Sequence, residues 1–134
     1  MIIFLKKLIV VMLLVQPFFA IADSFDDGLC IGAISMALKL GNTPSDFSTV
    51  ALQKAKNIAE QYKPIDDRWS SVANGCFIPG VPMQQIVDCM SSKIPDRKSF
   101  NYFKGVALAR NKIASKSVGV AQFEANNLCV SLAR

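Results

Sequence analysis

The sequence predicts an all-α fold, a single small helical bundle of about five helices stapled by two disulfides. Three observations lead there. Apolar residues recur at three-and-four spacing through most of the chain beyond its first two dozen residues. No stretch shows the strict apolar/polar alternation, bounded by turn residues, of a half-buried strand. Four cysteines, an even number, all follow an N-terminal segment of export type.

That segment comes first. Lys6 and Lys7 give a short positive region, Leu8 to Val15 an apolar run, Pro17 a break, and Ala20-Ile21-Ala22 a small-x-small cleavage pattern, so residues 1–22 read as a signal peptide cut after Ala22. A membrane anchor needs roughly 18 unbroken apolar residues, and Gln16 with Pro17 ends the run short of that. Removing 22 of the 134 residues would leave 112, residues 23–134, a length suited to one domain. An oxidising compartment such as the bacterial periplasm is the expected setting.

From Ser24, a capping type, the residues Phe25, Leu29, Ala33, Met36 and Leu40 fall on one side of a helix that Gly41 would end, with Cys30 beside that face. A second helix opens at Thr43-Pro44-Ser45-Asp46, shows the face Phe47, Val50, Ala51, Ala55, Ile58 and Tyr62, and stops at Pro64. Lys63 to Gly75 has no consistent period and is rich in Pro, Asp, Ser, Asn and Gly, which predicts a loop. Pro82 would begin and Pro95 end a third helix with Met83, Ile86, Val87, Met90 and Ile94 on its buried side. Holding two cysteines, the stretch Cys76 to Met90 looks like the hub of the fold. Asp96 or Ser99 would cap a fourth helix through Phe100, Phe103, Val106, Ala107, Arg110 and Ile113, weakened slightly by Gly105. Beyond a bend at Ser115 to Gly119, the residues Ala121, Ala125, Leu128 and Leu132 outline a terminal helix carrying Cys129.

Four cysteines allow three pairings. If the last helix returns antiparallel beside the helix at Pro82, Cys76 meets Cys129 and Cys30 is left with Cys89. The competing arrangement joins Cys76 to Cys89 locally. A long closed loop is expected to stabilise by about 4 kcal/mol on the chain-entropy account, a short one by less.

Composition narrows the chemistry. The chain has no histidine and no C-x-x-C pair, which argues against a zinc site, and no cofactor is expected. The absence of histidine also removes the usual base for a nucleophile. Asp26-Asp27 and Asp66-Asp67 lack a second carboxylate at a glycosidase-like spacing, and no glycine-rich phosphate loop occurs. These gaps point away from an enzyme and toward a binding protein. Loss of Lys6 and Lys7 lowers the net charge from +5 to about +3, too mild to argue for nucleic acid. The basic run Lys93, Arg97, Lys98, Lys104, Arg110, Lys112 and Lys116 reads as solvated helix faces.

One cluster fits an interface. Asp66, Asp67, Arg68 and Trp69 place the lone tryptophan beside an arginine, the residue types that anchor protein contacts. The competing fate is a tryptophan folded back as a lid over the core. Apolar faces larger than one core can bury would also leave a patch for a homodimer.

Three cysteine-centred pieces resemble the small exported immunity proteins that protect bacteria from type VI secretion amidase toxins, the Rap/Tai-type immunity family. Its early Cys-x-Gly-Tyr-Ile is similar to Cys30-Ile31-Gly32-Ala33-Ile34, with Ala33 in place of tyrosine. Its second piece, Cys followed by Gly-Val and Gln-Leu-Val, is similar to Cys76, Gly80, Val81, Gln85, Ile86 and Val87. Cys129 stands where the family closes its last helix. The resemblance implies a periplasmic, all-α, dimer-forming protein that plugs the catalytic cleft of a cognate peptidoglycan amidase effector without chemistry of its own. Asp66, Asp67, Arg68 and Trp69 are then the residues expected to enter the cleft, on grounds of exposure. The alternative, from another class, is a small periplasmic stress chaperone or adaptor that exposes apolar helix faces to client proteins.

Overall fold

The computed structural model describes residues 24–131, so the expected leader and Leu132 lie outside the described residues. Six α-helices and one 3-10 turn make up the regular structure, with no strand among these residues. α1 (24–39) ends at the turn through Leu40 and Gly41, where Gly41 takes φ +128°, a value strained for any residue with a Cβ. Asn42 closes the helix. Its side-chain amide donates to the Ala37 carbonyl at 3.1 Å and to the Val118 carbonyl at 2.9 Å, which ties the end of α1 to the start of the last helix.

The predicted helix from Thr43 is divided in two. Pro44–Asp46 forms a 3-10 turn capped by Asp46 on the Thr43 amide at 2.8 Å, and Phe47 then turns extended, which sends its ring into the core. Ser48 caps a fresh start, its hydroxyl accepting from the Ala51 amide at 3.1 Å, and α2 (Thr49–Gln61) buries Ala51, Ala55 and Ile58. Val50, expected on the buried face, is exposed.

The expected loop at Lys63 to Gly75 is a helix, α3 (Lys63–Cys76). Tyr62 alone joins it to α2: its amide donates to the Ile58 carbonyl and its carbonyl accepts from the Asp66 amide, both at 2.9 Å. Pro64 therefore sits in the first turn, where no N–H is needed, and Asp66 lies near the positive end of the helix dipole. Ile65, Trp69, Val72, Ala73 and Cys76 form the inward side.

α4 (Met83–Lys93) is capped by Pro82 and buries Ile86 and Met90, close to the predicted element. α5 (Arg97–Ala114) starts at Asp96, whose carboxylate accepts from the amide of Ser99 at 2.9 Å and from its hydroxyl at 2.6 Å. α6 (Val118–Ser131) buries Ala121, Ala125 and Cys129.

The hub is α5 rather than the stretch Cys76 to Met90. It packs against α3, α4 and α6, and α1 crosses it in backbone contact. A Cβ on Gly28 would fall on the Tyr102 carbonyl, and one on Gly105 would come within 2.9 Å of the Leu29 nitrogen. Gly105 is thus a requirement of the crossing, not a weak point in its helix. Around this column, each fully buried large side chain such as Met90 or Ile58 contributes about 1.5–3 kcal/mol of transfer free energy.

The favoured pairing, Cys76 with Cys129 and Cys30 with Cys89, is corrected, and the competing local closure of Cys76 on Cys89 is the one adopted. The other disulfide is Cys30–Cys129. The cause is the neighbour that α6 chooses. It lies against α2 and α5 instead of returning beside α4, so its inner face carries Cys129 to Cys30 on α1, with Cα atoms 4.8 Å apart. α4 folds back on α3, and Cys76 closes locally onto Cys89.

Candidate partner-binding surface

The four residues expected at an interface lie on the first two turns of α3. Their helix splits them. Asp67 and Arg68 are exposed, whereas Asp66 and Trp69 turn partly inward and Trp69 packs against the core. The lid arrangement of the tryptophan is therefore the one adopted. Arg68 lays its guanidinium over the indole, 5.1 Å from the ring centroid, a cation–π contact that fixes an otherwise mobile side chain. Asp67 meets Lys63 one turn earlier at 3.4 Å, an exposed pair worth about 0–1 kcal/mol. Burial and then the charge of Asp67 push the Asp66 carboxyl above its ordinary value.

A polar seam lies at the start of α3, near Asp66. Asp27 of α1 is buried, accepts from the Tyr62 hydroxyl at 2.9 Å and lies 3.8 Å from the Lys54 ammonium. The Tyr62 ring stacks on Tyr102 of α5 at 4.3 Å between centroids and 9° from parallel, and the Lys98 ammonium lies 5.5 Å from the Tyr62 centroid. Burial, followed by the charges of Asp66 and Asp27, raises the Tyr102 phenol far above its usual range and keeps it neutral. This seam joins α1, α2 and α5 at Tyr62, the residue from which α3 starts. Among the described residues no group of three or more metal-ligating side chains comes together.

Of the basic run, Lys93, Arg97, Lys98 and Lys112 are exposed and Lys104, Arg110 and Lys116 half-buried, and besides Lys98 over Tyr62, Arg110 sets its guanidinium 4.9 Å from the Phe77 centroid. A surface that sequence reasoning missed is the outer side of α6. Val120, Phe123 and Val130 share it, and Phe123 is 63% exposed. The signal was present: the apolar residues of α6 are not confined to one side, so those opposite the core stay exposed. No protein-family model, curated protein or solved structure matches the chain.

Proposed function

We propose that the chain is an exported immunity protein that binds a peptidoglycan amidase effector of a type VI secretion system and blocks its catalytic cleft. The residues that resemble the immunity family are the ones that fasten this fold. Cys30 and Gly32 hold α1 to α6 and α5, and Cys76 holds α3 to α4. Two disulfides and the lack of any helix long and apolar enough to cross a membrane, among the described residues, are compatible with an exported domain.

The observation that carries the proposal is the fixed presentation of Arg68. It is exposed, clamped across Trp69, and mounted on a helix whose far end is tied down by Cys76–Cys89. Binding through such a surface loses little conformational entropy, as occlusion of a cleft requires. Asp67 and Arg68 make the contact, and Asp66 and Trp69 support it.

The test is to mix the oxidised protein with the amidase encoded beside its gene and follow release of cleaved peptidoglycan. Equimolar protein is expected to stop cleavage, and Arg68→Glu to weaken binding about tenfold or more while lowering stability by no more than about 1 kcal/mol, the loss of one exposed cation–π contact. If neither binding nor inhibition occurs, the immunity assignment is withdrawn. The exposed side of α6 favours a second reading, a chaperone or adaptor that holds apolar client segments on Val120, Phe123 and Val130. Suppression of client aggregation that Phe123→Ser removes would select it, and concentration-dependent dimerisation removed by the same substitution would assign the stripe to self-association.

A further inference from the structure

Where α1, α5 and α6 converge near the start of α4, the fold leaves an open cavity of about 440 Å³. Leu29, Met83, Leu108 and Leu128 give it apolar walls. Cavities of about 300–1,000 Å³ with apolar walls and a few polar groups are the usual form of small-molecule sites. Glu124, one turn before Leu128 on α6, lines this one, and its Oε2 is buried with no hydrogen-bond partner among the described residues. Lys112 also borders the cavity but forms no ion pair with Glu124 among those residues. A carboxylate oxygen withdrawn from water and left without a donor is unfavourable, and a ligand that supplies the donor recovers the loss.

We propose that this cavity binds a small amphipathic amine, its apolar body between Leu29, Met83, Leu108 and Leu128 and its ammonium donating to Glu124 Oε2. An ammonium satisfies the oxygen and neutralises its charge, and in a site with apolar walls that charge-assisted bond is stronger than in water. A neutral alcohol supplies the hydrogen bond without the charge. A carboxylate brings like charge to Glu124 and offers its Oε2 no donor, and can pair only with Lys112, which is exposed at the border. None of the lining residues belongs to the α3 surface, so the site is independent of the immunity proposal.

Calorimetric titration of the oxidised full chain with octylamine, octanol and octanoate, each below its micelle concentration, tests the assignment. Octylamine is expected to bind at least about tenfold more tightly than octanoate, with octanol between them. Glu124→Gln, which keeps the shape of the side chain, is expected to lower octylamine affinity about tenfold and leave octanol affinity nearly unchanged. Leu108→Trp, which fills the cavity, should abolish binding of all three. Equal affinity for amine and carboxylate, no binding of octylamine, or unchanged octylamine affinity in Glu124→Gln would overturn the proposal. Should either variant fail to fold, the comparison of amine with carboxylate on the unaltered protein still decides it.

Discussion

Gly32 of α1 lies flat against Val106 of α5, so close that a Cβ on the glycine would come within 2.8 Å of the Val106 Cα. The contact is backbone on backbone and cannot yield by rotating a side chain. Gly32→Ala is expected to force the helices apart and cost about 3 kcal/mol, at the upper end of the overpacking range. Gly119→Ala, on the exposed first turn of α6 with nothing within 4 Å of its Cβ position, should instead stabilise by about 0.5–1 kcal/mol. Urea unfolding midpoints of the two variants should move in opposite directions.

The two disulfides differ in the chain they enclose. Cys30–Cys129 spans a sequence separation of 99, and Cys76–Cys89 one of 13. Restriction of the unfolded chain predicts about 4.7 kcal/mol for the long loop and about 3 kcal/mol for the short one. Replacing each pair by alanines should lower stability in that order. Peptide mapping without reduction should recover the two pairings directly.

Tyr62→Phe removes the hydroxyl that donates to buried Asp27 at 2.9 Å while leaving the stack on Tyr102 in place. Loss of a hydrogen bond to a charged group is expected to cost about 1.5–3 kcal/mol. Thermal unfolding at constant pH measures it.

Acid should act on two carboxylates in opposite senses. The Ser99 hydroxyl and amide hold Asp96 below its ordinary value of 3.8, so its contribution is present above that pH and is lost as pH falls through the lower folded value. Asp66 is shifted upward by burial and by Asp67, so its ionised form is disfavoured in the folded protein and stability rises as pH falls through that raised value. Asp66→Asn should raise the melting temperature at neutral pH and remove the gain on mild acidification. Asp96→Asn keeps a capping oxygen and should remove part of the loss below about pH 3.8.

Much of the helical pattern was legible because local chemistry sets it. Gly41, Pro82 and Asp96 mark ends that the fold respects within a residue or two. At Lys63 to Cys76 the same chemistry was misread: Pro64 and Asp66 begin a helix as readily as they break one, and Ile65, Trp69, Val72 and Cys76 already carried a helical period. The spacing of Gly28 and Gly32 by four, which puts both on one side of α1, was a further signal of the close crossing. Which thiols meet was not legible, because it depends on where α6 lands. The inward side of that helix, Ala121, Ala125 and Leu128 with Cys129, was legible, but its sequence does not say which helices it lies against. Of the candidate surface, Asp67 and Arg68 are exposed as expected, while the partial burial of Trp69 required the helix that sequence reasoning had not assigned. Glu124 gave no sign in sequence, since only the fold withdraws its oxygen from water.

The stacked phenols and the clamped indole also have an optical meaning. The chain holds one tryptophan and two tyrosines, so its ultraviolet signals divide by location without any label. Indole emission follows events at α3, and near-ultraviolet ellipticity also senses the tyrosine pair. A partner settling on Arg68 should shift the emission while the tyrosine signature holds, whereas loosening of the interior would disturb both.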